Sequence, residues 1–213
     1  MQNIGFKETI IDTKSPDQPK ILVLIMGGTI NADHTKTIPV DFKGQNATNV
    51  MPYRDKKGRL PIQILIEDVI SSLLGVNPFE IIEIADCDSK DLQQSHYKEM
   101  FDQLDKAQRC NFNRVILVVG TDLATQIGQI VEKKHYPFPL ILVTAMEEMS
   151  RDLTKTGLFD YYKETLTDGV HNFTSALGGV FQSGVHLLAS DGQYYRPSQL
   201  RKDFTNKAFV PKG

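Results

Sequence analysis

The chain has 213 residues, enough to bury the core of one domain and few for two. Its 24 basic and 26 acidic residues give a net charge of -2 at pH 7, so no long-range field attracts nucleic acid or an anionic membrane surface. Two cysteines, Cys87 and Cys110, are too few for a disulfide framework and lack Cys or His neighbours at metal-ligand spacing. We therefore expect a reducing compartment and no metal site.

The first 19 residues are predicted to be a flexible lead-in, since residues 13–19 read TKSPDQP and combine two prolines with polar neighbours. Asp and Glu interrupt the apolar positions there, so no signal peptide is expected. No window reaches the roughly 18 apolar residues of a membrane helix. Residues 20–213 are therefore expected to form a single domain of a cytoplasmic protein.

Short apolar runs follow in chain order and predict five strands: ILVLIM (21–26), EIIEIA (80–85), RVILVV (114–119), LILVTAM (140–146) and VHLLAS (185–190). They do not alternate with polar residues, which is typical of strands buried on both faces of a parallel sheet. Residues 92–107, 123–134 and 172–181 space their apolar side chains as amphipathic helices do. This alternation predicts an α/β fold, a three-layer sandwich with a mostly parallel sheet of the Rossmann or flavodoxin-like type.

Small, hydroxyl and carboxylate residues follow four of these strands, at the edge where such folds bind ligands. They are Gly27-Gly28-Thr29, Asp86-Cys87-Asp88-Ser89, Gly120-Thr121-Asp122 and Thr144-Ala145-Met146. Each group alone is typical of a turn or a helix cap. Together they bring hydroxyls near ionisable groups, as nucleophilic catalysis requires. The chain lacks the full glycine motifs of nucleotide sites, although a phosphate-binding turn at Gly27 and Gly28 stays an alternative.

These segments resemble the N-terminal domain of the bacterial-type L-asparaginase family. MGGTI (26–30) is similar to the family's TGGTI, and DSKDL (88–92) resembles its DS segment. VGTDLAT (119–125) resembles HGTDT, VTAM (143–146) parallels VGAM, and DGVHNFTSAL (168–177) parallels DGPFNL..A. The order of the motifs is the same, and the similarity runs from about residue 20 to the end of the chain. The resemblance implies an amidohydrolase that acts on the side-chain amide of asparagine or a related small amide.

Residue by residue, the resemblance implies that Thr29 is the nucleophile, which forms an acyl-enzyme and releases ammonia. It also implies a second group made of Thr121, Asp122 and a lysine that takes or relays a proton. Lys202 fits that lysine if the last segment is a few residues shorter than usual, and Lys207 is the rival. The substrate contacts would come from Asp122, from Gly28, Asp88, Ser89 and Gly120, and from Ala145, whose neighbouring backbone amides would polarise the amide carbonyl. No cofactor is implied.

Several departures from the family pattern bear on activity. The family carries an activating tyrosine in the loop after the first threonine, where this chain has Thr37 in TIPV, while Tyr53 lies far along the loop. Val119 replaces a supportive histidine, and Glu147 replaces an arginine. The family's C-terminal domain, which completes the site from a neighbouring subunit, is expected to be absent. Residues 147–167 are longer than the usual connection and are predicted to form an inserted helix carrying Tyr161 and Tyr162.

The departures leave a second hypothesis beside the amidohydrolase. The chain is then a catalytically impaired module of the same fold that binds an amino acid. In either case the expected partners are a small-molecule amide or amino acid, with neither nucleic acid nor membrane, and a homo-oligomer is expected because the family completes its sites across subunits.

Overall fold

The computed structural model describes residues 20–42, 45–88, 91–154, 157–160, 165–188, 192–203, 205–206 and 208–213. The predicted lead-in, residues 1–19, lies outside these ranges. Within them, no helix is both long and apolar enough to cross a membrane.

A six-stranded sheet forms the centre of the fold. Its strands are β1 (Ile21–Met26), β4 (Phe79–Ala85), β5 (Arg114–Val118), β6 (Pro139–Val143), β7 (Gly184–Leu188) and β8 (Tyr194–Tyr195). They lie side by side in the order β4-β1-β5-β6-β7-β8. The first five are parallel, and only β8 runs antiparallel at the edge. The predicted α/β fold with a mostly parallel sheet is therefore confirmed.

The burial of β1 on both faces explains why its sequence does not alternate. Leu22, Leu24 and Met26 pack into one apolar cluster, and Val23 and Ile25 pack into a second cluster on the opposite face. Helices α3 (Gln94–Arg109) and α4 (Ala124–Glu132) cover the first face. The second face is covered by helix α5 (Asp168–Gly178) and by a second helical segment. That segment consists of α1 (Pro61–Ile64), a π-helical turn (Leu65–Ile70) and α2 (Ser71–Leu74). These are the three predicted layers.

The segment after Thr29 forms a β-hairpin, whereas the sequence predicts a loop there. Strand β2 (Ala32–Phe42) pairs with β3 (Gln45–Pro52) in antiparallel fashion, and Ala32 lies opposite Pro52. The pairing returns the chain to its starting point, so the Tyr53 backbone N–H donates to the Asn31 carbonyl at 2.8 Å.

A second hairpin, β9 (Leu200–Asp203) with β10 (Ala208–Pro211), ends the chain and pairs Lys202 with Phe209. Helix α4 and a 3-10 turn (Pro197–Gln199) pack together just before it, where a Cβ on Gly128 would lie 2.4 Å from the Pro197 ring. This contact fixes where β9 starts relative to the sheet.

The predicted helix in residues 147–167 is wrong for the part that the structure describes. There the chain forms a 3-10 turn (Met149–Asp152) and a single antiparallel bridge between Leu153 and Phe159. The buried polar side chains of the turn are tied to other segments, since Ser150 Oγ donates to the Ala32 carbonyl at 2.7 Å and Asp152 accepts from Thr167 N–H at 2.9 Å. Tyr161 and Tyr162 lie outside the described residues.

Candidate active site

Two glycines bring three strand-end loops into contact at the carboxyl edge of the sheet. Gly27 and Gly28, after β1, have φ of +73° and +93°, which glycine adopts without strain. A Cβ on Gly27 would lie 2.0 Å from the Cys87 carbonyl oxygen, and one on Gly28 would lie 2.6 Å from Gly120 Cα. The loops after β1, β4 and β5 are therefore packed backbone against backbone.

These loops and the base of the hairpin surround a small open cleft with a cavity volume of about 30 Å³, here called the strand-end cleft. Its lining residues are Gly27, Gly28, Thr29, Asn31, Ala32, Pro52, Leu60, Asp86, Cys87 and Asp88. Of the predicted site residues, Thr29, Gly28 and Asp88 thus line one cleft. Thr29 is partly buried and begins a 3-10 turn (Thr29–Asn31). Ser89 lies outside the described residues.

Lys202 joins the other predicted group. Its Nζ donates to Thr121 Oγ1 at 3.0 Å and also forms an ion pair and hydrogen bond with Asp122 Oδ1. The Lys202 side chain is 13% exposed and the Asp122 side chain 60% exposed, so the ammonium is sheltered while the carboxylate meets solvent. The structure thus brings Lys202 to these two residues, and Lys207 lies outside the described residues.

The two groups lie on adjoining loops. Thr121 directly follows Gly120, and Thr29 directly follows Gly28, the two glycines that touch. Val119, the departure from the family histidine, is buried, and its N–H donates to the Val143 carbonyl at 3.0 Å. Its role is therefore to tie β5 to β6 beneath the site.

The loop after β6 is held by the start of α5. The Asp168 carboxylate accepts from Met146 N–H at 2.8 Å and from Glu147 N–H at 3.1 Å, and Asn172 Nδ2 donates to the Thr144 carbonyl at 2.9 Å. These bonds hold Thr144 to Glu147 in a loop after the strand, which ends at Val143 within the apolar run 140–146. They also use the two amides that follow Ala145, so a substrate carbonyl near Ala145 must take its donor from another amide.

We expect Asp168→Ala to lower the free energy of unfolding by about 2 kcal/mol, because two backbone amides lose a charged acceptor. Urea unfolding measures the change. The control is Asp102→Ala, which removes an exposed pair with Lys98 and is expected to cost about 0.5 kcal/mol or less. Equal losses in the two variants would contradict the holding role of Asp168.

Cys87 also lines the cleft but is poorly suited to be the nucleophile. Burial raises the pKa of its thiol, and the charges of Asp91, Asp86 and Asp88 raise it further. The reactive thiolate is therefore disfavoured at neutral pH, which leaves the Thr29 hydroxyl as the candidate in this cleft. Within the described ranges, no three His, Cys, Asp or Glu side chains gather where they would hold a metal ion.

Two polar residues of the cleft have no assigned role from the sequence: Asp86, which was only placed at this edge, and Asn31, which was missed. Asp86 forms an ion pair with Arg54, which also binds Glu83 and the Gly58 carbonyl. Asn31 is only 2% exposed, although it follows directly on Thr29-Ile30. The sequence signal for a site residue was the polar Asn31 itself, which lies between a buried strand and a hairpin.

Tyr53 is the described tyrosine nearest along the chain to Thr29. Its hydroxyl lies by Gly157, where a Cβ would be 3.7 Å away, and Tyr53 is not among the lining residues of the cleft. Burial raises the pKa of this phenol, and the charges of Asp55 and Asp33 raise it further. The hydroxyl is therefore directed toward the 147–167 segment, and the side chain of Thr37 lies outside the described residues.

No protein-family profile and no curated protein sequence matches the chain. Among solved structures, the chain is similar to a probable cytoplasmic L-asparaginase from Campylobacter jejuni, with TM-score 0.62, 19% identity, and 91% of this chain and 53% of that one covered.

Two further solved structures of L-asparaginases are similar to the chain. L-asparaginase I from Vibrio cholerae gives a TM-score of 0.61 at 15% identity, covering 91% of this chain and 52% of that one. The thermostable L-asparaginase from Thermococcus kodakarensis gives 0.57 at 19% identity, covering 90% and 51%. The chain spans about half the length of these structures. What it shares with L-asparaginases at this level of identity is the α/β fold.

Proposed function

We propose that the chain is an amidohydrolase that hydrolyses the side-chain amide of asparagine, or a related small amide, through an ester formed on Thr29. The observation that carries the proposal is the bonding of Lys202 to Thr121 and Asp122 on a loop that touches the loop of Thr29. The fold similarity to L-asparaginases supports it. The burial that raises the pKa of the competing Cys87 thiol supports it as well.

The reaction has two steps. In the first, Thr29 Oγ attacks the amide carbon, the C–N bond breaks, and the hydroxyl proton ends on the nitrogen, which leaves as ammonia. In the second, water attacks the ester, the C–O bond to Thr29 breaks, and the acid product leaves as the Thr29 hydroxyl regains a proton. Both steps are complete without an added redox agent or cofactor.

Lys202 and Thr121 would relay the proton. The Lys202 ammonium donates to Thr121 Oγ1. In the relay, Thr121 would pass its own proton to the departing nitrogen and Lys202 would reprotonate Thr121, and the neutral amine so formed would take up the proton released by Thr29. Asp122 holds the ammonium in place. We assign the substrate contacts to Asp122, Gly28, Asp88, Ser89, Gly120 and Ala145, as the resemblance implies.

The same resemblance supports a homo-oligomer in the cytoplasm and a single domain over residues 20–213. We propose these together with the activity. Light scattering on the purified chain measures the oligomer, and a monomer at assay concentration would contradict it.

The test is ammonia release from L-asparagine, L-glutamine and their D-isomers by the purified protein. A parallel preparation carrying Thr29→Ala excludes a contaminating amidase. Release that depends on Thr29 is the expected result. A folded protein that releases ammonia from none of these amides contradicts the proposal.

We expect Lys202→Met to lower kcat/KM for ammonia release about 100-fold, because a positioned proton relay contributes at least that much. Lys202→Arg keeps the ion pair with Asp122 but cannot relay a proton, so it is expected to lose nearly as much. Lys212→Met, which removes a lysine that binds the Ser198 carbonyl, is the matched control and should keep full activity. Full activity of Lys202→Arg would show that the reaction needs only a positive charge at residue 202 and no proton relay through Lys202.

A binding module of the same fold is the second candidate. One observation favours it: the Tyr53 hydroxyl lies against Gly157, and Tyr53 does not line the strand-end cleft. The family's activating tyrosine therefore has no counterpart among the described residues. Calorimetry separates the two candidates. Tight binding of L-aspartate or L-asparagine with no ammonia release favours the module.

A further inference from the structure

Asn31 has a polar group for which the described structure offers no partner. The residue is 2% exposed, and its Nδ2 is buried without a hydrogen-bond partner in the described part of the chain. A buried amide N–H without an acceptor is unfavourable, and such groups in folded proteins are rare. Asn31 lines the strand-end cleft beside Thr29, so a molecule bound in the cleft that reaches Nδ2 would supply the acceptor.

The orientation of the Asn31 amide is fixed by the backbone around it. Its Oδ1 accepts from Ile62 N–H at 3.4 Å, and because a backbone N–H only donates, the atom facing Ile62 is the oxygen and the other is the nitrogen. The Asn31 backbone is held as well, by Gly28 on one side and Tyr53 on the other. The donor is thus set in place before any ligand binds, which favours binding.

From this geometry we propose that Asn31 is a specificity-determining residue, whose Nδ2 donates to the carboxylate of an amino-acid substrate in the strand-end cleft. The inference rests on the proposed function and adds the substrate group that Asn31 recognises. A carboxylate is the stronger acceptor for a buried amide donor, since hydrogen bonds to charged groups exceed neutral ones.

The charges in the cleft favour the same placement. The charged side chains that line it are Asp86 and Asp88, and they attract an ammonium and repel a carboxylate. An α-amino acid carries both groups on one carbon, so its carboxylate is best placed toward the neutral Asn31 amide. Arg54, the cation nearest Asp86, is already bonded to Asp86, Glu83 and the Gly58 carbonyl.

The variant that tests this is Asn31→Asp, which keeps an oxygen for Ile62 N–H and replaces the amide donor with a charged oxygen that only accepts. In a Thr29→Ala background, calorimetry is expected to show L-asparagine binding weakened about tenfold to a hundredfold. L-asparaginamide, whose carboxylate is a neutral carboxamide, should lose about threefold or less, because a carboxamide still accepts and also donates. With Thr29 intact, KM for L-asparagine should rise while kcat changes little.

A second measurement does not depend on the folding of an Asn31 variant. In the Thr29→Ala protein, the Nδ2 protons of Asn31, observed by NMR with selective asparagine labelling, are expected to shift on addition of L-aspartate. Unchanged Nδ2 resonances under saturating L-aspartate would overturn the inference. Equal weakening of both ligands, or a fall in kcat with KM unchanged, would overturn it too.

The failure of this inference and that of the proposed function give different results. Thr29-dependent ammonia release with unaltered amino-acid binding in Asn31→Asp retains the function and overturns the role of Asn31. Asn31-dependent binding of L-aspartate without ammonia release from any amide retains the role of Asn31 and overturns hydrolysis. No binding of any amino acid overturns both.

Discussion

Thr29→Ala is expected to reduce ammonia release on the order of 10⁴-fold or more, because removal of a nucleophile leaves only binding and polar stabilisation of the transition state. Thr29 lines the strand-end cleft and follows directly on Gly28, which touches the loop of Thr121. Its hydroxyl is the one group that forms and breaks bonds to substrate in the proposed reaction. The loss should fall on kcat, while binding of L-aspartate should stay close to that of the unaltered protein.

Two further variants separate the hydroxyl from the shape of the side chain. Thr29→Val keeps the volume and removes the hydroxyl, so it should be as inactive as Thr29→Ala. Thr29→Ser keeps the hydroxyl and should retain measurable release. Thr174→Ala is the matched control, since Thr174 Oγ1 donates within α5, to the carbonyls of Val170 and His171.

Trapping tests the ester directly. Hydroxylamine should convert an acyl-enzyme on Thr29 to a hydroxamate, with the acyl C–O bond to Thr29 broken and a C–N bond formed. Full ammonia release by Thr29→Val would exclude the nucleophile, whatever the other variants show.

Strands β1 and β5 could be predicted because both of their faces are buried. In β1 and β5 every position from Leu22 to Met26 and from Val115 to Val118 is buried, so the sequence reads as a continuous apolar run. Parallel strands end at one edge, and this is why Thr29 and Thr121 were expected on adjoining loops. The contact of Gly28 with Gly120 agrees with that expectation.

The rest of the site depends on contacts between segments that are distant in sequence. These contacts are made by single residues, and no periodic sequence pattern predicts them. Examples are the Asp168 carboxylate, which accepts from Met146 N–H, and the Ser150 hydroxyl, which donates to the Ala32 carbonyl. The hairpin after Thr29 is held by backbone pairing, and this pairing brings Tyr53 back to Asn31. Asn31 was missed because burial of a polar residue is visible only once its surroundings are known.

Gly28→Ala is expected to lower the free energy of unfolding by about 4 kcal/mol, through strain and overlap together. Gly28 has φ +93° and ψ 173°, a region that residues with a Cβ rarely occupy. The added Cβ would also lie 2.6 Å from Gly120 N and Cα, and both are backbone atoms that no rotamer change can move. Chemical denaturation measures the loss.

Gly58→Ala is the matched control for strain alone. Gly58 has φ +80°, but a Cβ there meets nothing within 4 Å, so we expect a cost of about 1 kcal/mol. The difference between the two variants is then the cost of separating the loops of Thr29 and Thr121. If Gly28→Ala costs no more than Gly58→Ala, the two loops are not in contact. If the difference is large and ammonia release falls further than stability explains, the distance between these two loops sets the rate of the reaction.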